Sequence, residues 1–172
     1  MLIRPTEESD WEALKSMRLA ALRDAPTAFG STYAEAAALA DAQWRERASG
    51  ATPLRFWLAM DGDAAVGLAG GGVDKAGRYN LIAMWVAPTH RGTEAARCLV
   101  DAVKAHAAAG GHARVVLDVA PENARAARFY GREGFVFLDE REPLASHPEI
   151  SVQRMEWLAL STQAASTQAA SR

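Results

Sequence analysis

Two stretches decide how this chain folds: Leu81-Ile82-Ala83-Met84-Trp85-Val86-Ala87-Pro88-Thr89-His90-Arg91-Gly92-Thr93-Glu94-Ala95-Ala96-Arg97 and Asp118-Val119-Ala120-Pro121-Glu122-Asn123-Ala124-Arg125-Ala126-Ala127-Arg128-Phe129-Tyr130-Gly131-Arg132-Glu133-Gly134-Phe135. The first opens as an apolar run of the kind found in strands covered on both faces. It stops at Pro88 and turns through Gly92 into an expected helix from Thr93 to Ala109. Ala96, Leu99, Val100, Val103 and Ala107 recur on one side of that helix, and Gly110-Gly111 closes it. A helix start carries unpaired N–H groups and partial positive charge. Small residues there let a phosphate approach the backbone, and Arg91 and Arg97 add charge. The same residues also fit a plain helix start beside an exposed loop. In the second stretch Asn123 suits an N-cap and Gly134 the left-handed position past a helix end. Phe129 and Phe135 are core candidates. Tyr130 is either a core aromatic or a proton donor, and local chemistry does not separate the two.

Working outward, the front of the chain reads as a strand at Leu2 to Arg4 and a helix from Trp11, capped by Ser9 or Asp10, with Leu14, Met17, Leu19 and Leu22 on one face. Pro26 and Gly30 end that helix, an alanine-rich helix follows from Tyr33 to Arg47, and Ala51-Thr52-Pro53 breaks it. Arg55 to Met60 and Ala64 to Gly70 flank Asp61-Gly62-Asp63, a hairpin signal. Asp74-Lys75-Ala76-Gly77 turns into the strand Asn80 to Val86. Beyond the central helix come strands at Arg114 to Val119, Phe135 to Leu138 and Ser151 to Leu158. The expected class is α/β (α+β), a mixed and mostly antiparallel central sheet flanked by helices. The domain is expected over residues 1–160. The tail at 161–172 repeats Ser-Thr-Gln-Ala-Ala, lacks large apolar residues and is expected to be disordered.

Composition narrows the class. The 172 residues make one domain by length, 49% are hydrophobic and 23% charged, and the net charge of -2 gives no footprint for nucleic acid or an anionic membrane. No apolar run approaches a membrane span, and the first residues hold no signal-peptide core. The single cysteine, Cys98, excludes an intrachain disulfide and fits a reducing, cytoplasmic setting. With no histidine suitably near, Cys98 reads as a small buried residue rather than a nucleophile. The four histidines show no paired spacing, so no metal site is expected. Gly67-Leu68-Ala69-Gly70-Gly71-Gly72 has the glycine content of a dinucleotide fingerprint, but a turn and a strand follow where a helix is needed. Those glycines are expected to admit bulges or close backbone contact.

The run from Val86 to Phe135 resembles the GNAT N-acetyltransferase superfamily. That family pairs an R/Q-x-x-G-x-G/A loop with a downstream N-x-x-A-x-x-x-Y-x-x-x-G-F segment, present here as Asn123, Ala126, Tyr130, Gly134 and Phe135. The loop departs at Glu94, which stands where the family has its first motif glycine; Ala96 is within the pattern.

The resemblance implies an acyltransferase that binds acetyl-CoA and passes the acetyl group to a primary amine by direct attack in a ternary complex. It implies coenzyme contacts from Met84, Trp85 and Val86, from Arg91, Gly92, Thr93, Glu94, Ala95, Ala96 and Arg97, and from Asn123 and Ala126. Tyr130 would be catalytic, protonating the leaving thiolate. A small-molecule or peptide amine is the implied acceptor, with a homodimer as a further expectation. Asp118, Glu142, His147 and Glu149 are candidates for the base that frees the amine of its proton, and Phe29, Tyr33, Trp44 and Trp85 for acceptor-site walls. The alternative is a degenerate coenzyme-binding or regulatory module, motivated by Glu94 and the missing base.

Overall fold

A computed structural model describes residues 1–160; the expected disordered tail at 161–172 lies outside the described residues. Seven strands, β1 (Leu2–Pro5), β2 (Leu54–Asp61), β3 (Ala64–Val73), β4 (Tyr79–Val86), β5 (Arg114–Val119), β6 (Val136–Leu144) and β7 (His147–Leu158), form one sheet in the order β1-β2-β3-β4-β5-β7-β6. Every neighbouring pair is antiparallel except β4 and β5. Helices α1 (Trp11–Asp24), α2 (Tyr33–Ala37) and α3 (Asp41–Ser49) pack on one face, and α4 (Ala95–Ala109) and α5 (Ala124–Arg132) on the other.

Period-two alternation sorts the sheet between these layers. In β2, Trp57 and Ala59 join the core under α4, while Phe56 and Leu58 join the core under α1 to α3. Helix α4 completes the first core with Leu99, Val100 and Val103, all fully buried and each contributing about 1.5–3 kcal/mol by burial. The glycines of β3 are there because the sheet has no room for side chains. A Cβ on Gly70 would sit 2.8 Å from the Phe56 ring, and one on Gly71 2.5 Å from the Tyr79 hydroxyl.

The structure refines several boundaries. The expected helix at 33–47 is two helices. Thr32 and Glu35 exchange side-chain bonds with each other's backbone N–H, at 3.1 and 2.8 Å, starting α2, and the Gln43 side chain accepts from the N–H of Ala40 at 2.9 Å, starting α3. Alanine suits a helix on either side of the break, so composition concealed it. Helix α4 begins at Ala95, and the fully buried alanine in its first turn is Ala95, with Ala96 only half-buried. Asp10 stands at the N-cap of α1 without a side-chain cap bond, because Arg4 holds both its oxygens at 2.7 Å. β6 and β7 also reach far beyond the expected strands, joined through a short turn after Leu144. β6 is an edge strand, where charged residues and Pro143 are tolerated.

Candidate active site

The site starts from one extra residue. In β4, Trp85 pairs with Leu68 and Ile82 with Gly70, so Ala83 and Met84 together face Ala69 in a bulge. Ala83 has a left-handed φ of 55°, the one positive φ outside glycine among the described residues. That conformation costs a β-carbon residue about 1–2 kcal/mol. The bulge switches faces: Tyr79 and Leu81 point to the α4 core, whereas Ala83 and Trp85 point to the α1–α3 core.

β4 and β5 then part company. They pair only at Tyr79–Val115 and Asn80–Val116. Past that point Ile82 to Trp85 and Leu117 to Ala120 become opposite walls of a cavity of about 1230 Å³, which continues to both helical layers.

On one side α5 presents Asn123, Ala126 and Tyr130, spaced three and four residues apart along one face. The helix is capped at both ends. The Asn123 side chain accepts from the N–H of Ala126 at 3.2 Å. At the other end Gly134 takes φ 86°, its N–H donates to Gly131, and the N–H of Phe135 donates to the carbonyl of Tyr130 at 3.0 Å. This is a Schellman closure, so the Gly-Phe pair fixes the turn that carries Tyr130. Phe129 and Phe135 meet the Tyr130 ring edge-on at 5.1 and 5.8 Å. Burial raises the phenol above its ordinary value of 10.0, keeping it protonated.

The α4 entrance is formed by a 3-10 turn at Pro88–His90 and by Gly92 at φ 81°. The N–H of Ala95 donates to the Thr93 hydroxyl at 3.3 Å, while those of Ala96 and Arg97 have no acceptor among the described residues. Glu94 is exposed and makes no side-chain cap bond. Arg97 faces Asp101 at 3.7 Å across exposed surface. Arg91 lines the cavity, but its Nε donates to the carbonyl of Val86 at 3.1 Å and its Nη2 to Asp24. Asp24 also accepts from the indole N–H of Trp85 at 2.9 Å, and these two donors hold its carboxyl below the usual range.

Of the expected coenzyme contacts, Met84, Trp85, Arg91, Asn123 and Ala126 line the cavity, as does Tyr130; Val86 and the segment Gly92 to Arg97 lie outside its lining. Of the expected walls, Phe29, Trp44 and Trp85 line it, whereas Tyr33 stacks beneath Arg23 at 5.1 Å. Among the candidate bases, Asp118 is held at both oxygens by Arg154 at 3.1 Å, and Glu142 lies 3.7 Å from the same guanidinium. Glu149 lines the cavity with no ion-pair partner among the described residues, and His147 is outside the lining. Cys98 is half-buried and also outside it. Sequence reading missed Asp24 and Arg154, which act across 61 and 36 residues of chain and carry no local signal.

A sequence profile of the acetyltransferase (GNAT) family matches residues 15–135, so the chain belongs to that family and is an acyltransferase. Solved structures share the fold. The GNAT-family acetyltransferase of Streptococcus pneumoniae is 21% identical with a TM-score of 0.74, over 92% of this chain and 99% of that one. The acetyltransferase yncA of Salmonella typhimurium, solved with acetyl-CoA, is 17% identical with a TM-score of 0.70, over 92% and 93%. Arabidopsis thaliana NAA60, in complex with a bisubstrate analogue, is 17% identical with a TM-score of 0.66, over 92% and 98%. No curated protein matches the chain in sequence.

Among the described residues no helix is long and apolar enough to cross a membrane, and no three His, Cys, Asp or Glu side chains converge as metal ligands.

Proposed function

We propose that the chain transfers the acetyl group of acetyl-CoA to the amino group of an acceptor by direct attack. The observation that carries this reading is the opening between β4 and β5, bulged at Ala83, which makes one cavity reaching from α5 to α1 and α3. An acyl donor and an amine can then meet from opposite faces of the sheet.

The residues present fit the coenzyme. The open N–H groups of Ala96 and Arg97 suit its diphosphate. Because Arg91 is engaged with Val86 and Asp24, its role is to hold the strand end and loop together. The pantetheine arm would run along Met84, Trp85 and Ala126, where the small alanine leaves width, with Asn123 beside it. Glu94 stands at the N-cap beside those N–H groups, but its side chain is exposed and makes no cap bond, so its carboxylate can turn to solvent away from a bound diphosphate.

The neutral amine attacks the thioester carbonyl, the C–N bond forms and the C–S bond breaks. The amine's proton leaves through water to a carboxylate, for which Glu149 is, of the candidate bases, the one that lines the cavity without an ion-pair partner among the described residues. Backbone N–H groups at the bulge stabilise the developing oxyanion. Tyr130 supplies a proton to the departing sulfur, a role suited to a phenol that burial keeps protonated.

The test is coenzyme A thiol release from acetyl-CoA across a panel of primary amines, with mass spectrometry of the product. The expected result is acceptor-dependent release with one acetyl group on nitrogen. Saturable coenzyme binding with no acylated product from any amine would leave only the module reading.

A further inference from the structure

The α1–α3 side of the cavity holds a positive charge that the protein does not balance. Arg18 sits four residues after Leu14 and four before Leu22, both fully buried, so helical spacing turns it inward. Its Nη1 is buried without a hydrogen-bond partner. The guanidinium lies over the Phe29 ring, 4.6 Å from its centre, and Arg47 on α3 lies over the Trp44 ring at 5.5 Å. All four side chains line the cavity. The indole N–H of Trp44 is a second buried donor without an acceptor.

A buried cation left unpaired is costly, and proteins ordinarily supply a carboxylate. Here no acid along the cavity pairs with Arg18 among the described residues, and several are engaged elsewhere. Asp24 is held by Trp85 and Arg91, Glu35 caps the N–H of Thr32, and Asp118 is held by Arg154. Burial and the neighbouring charge of Arg47 lower the Arg18 pKa to about 10, which still leaves it cationic at neutral pH. The two lining acids without a hydrogen bond or ion pair among the described residues, Glu122 just before α5 and Glu149 in β7, form none with Arg18 either.

We propose that Arg18, supported by Arg47, binds a carboxylate of the acceptor, so that the substrate is a small amine bearing a carboxylate, of the amino-acid class. The guanidinium suits a planar carboxylate, and Phe29 and Trp44 give the site apolar walls. Glu149 serves the amino end of the same zwitterion. This inference rests on the acetyltransferase reading above.

The experiment compares free L-amino acids with their α-carboxamides, which keep the amine and lose the negative charge, at saturating acetyl-CoA. At least one acid is expected to exceed its amide tenfold or more in kcat/KM. Arg18→Met is expected to lower the acid's kcat/KM at least tenfold, mainly through KM, and to leave the amide within threefold. Arg18→Lys should restore part of the difference, and Arg47→Met should give a smaller loss in the same direction. Because Arg18→Met removes an uncompensated, partly buried charge, its melting temperature should equal or exceed that of the wild type.

Amides as good as acids throughout the panel, no turnover of any acid, or equal losses for acid and amide in Arg18→Met would overturn the inference. A lower melting temperature with unchanged acid preference would do the same, marking Arg18 as structural. Calorimetric binding of acetyl-CoA without acceptor separates the two readings: retained binding confines such a failure to the acceptor assignment, and absent binding removes the enzyme reading as well.

Discussion

The α5 and α1–α3 sides of the cavity are built by different means. On the α5 side the working parts are backbone geometry: the Ala83 bulge, the Gly92 turn, the open start of α4 and a helix capped by Asn123 and Gly134. On the α1–α3 side they are side chains, with Arg18, Phe29, Trp44 and Arg47 brought together by two helices and a loop. A backbone-built wall suits a ligand whose diphosphate and amide groups need N–H and C=O partners at fixed places. A wall built from side chains can change its occupant by a single substitution. In the proposed reaction the first would serve the donor and the second the acceptor.

Tyr130→Phe gives the largest expected effect on this contrast. Turnover should fall about a hundredfold or more if the phenol delivers the proton. Acetyl-CoA affinity should change little, and so should stability, because the hydroxyl has no protein partner among the described residues. Steady-state kinetics beside calorimetry reads both, and an unchanged kcat would remove Tyr130 from the reaction.

Gly71→Ala tests the tightly packed sheet beneath both sides. Its Cβ would lie 2.5 Å from the Tyr79 hydroxyl, and the Tyr79 ring is held against His112 at 5.1 Å and His106 at 6.2 Å. A loss of about 1–3 kcal/mol is expected in urea unfolding, with no change in acceptor preference. A neutral result would mean that Tyr79 has room to yield.

Asn123 sharpens the comparison because it has a cap role and a proposed ligand role. Asn123→Ala should cost about 1 kcal/mol of stability. Asn123→Ser should recover most of that stability. If coenzyme affinity recovers with it, Asn123 acts through the helix alone; if affinity stays low in the serine variant, its side chain meets the pantetheine arm.

Glu94→Gly should give the smallest effect. Because the carboxylate is exposed, its repulsion of a diphosphate is screened, and acetyl-CoA should bind no more than about fivefold tighter, with the gain shrinking as salt rises. A tightening of a hundredfold would show that Glu94 points at the ligand.

The same contrast explains what the sequence made legible. Gly134 and Phe135 had to stand four and five residues after Tyr130 for a Schellman closure to form there, so the motif could be read as geometry. The two central strands were legible as the apolar runs at Asn80 to Val86 and Arg114 to Val119, and the structure pairs them in parallel. The Ala83 bulge was not, because an alanine in left-handed φ looks like any strand alanine until its neighbours' register is known. The length of β6 and β7 was hidden for a related reason. An edge hairpin needs no apolar alternation, and charged residues mask it. In sequence Arg18 is one polar residue among Leu14, Met17 and Leu22, and only the packed structure shows that its Nη1 is buried without a partner.

The most direct test of the account is a calorimetric titration of the full chain with acetyl-CoA in the absence of any amine. One saturable site per chain is expected, weakening as salt rises because the diphosphate rests on helix N–H groups. No heat and no saturation at millimolar acetyl-CoA would contradict the account, leaving the fold but not the proposed site.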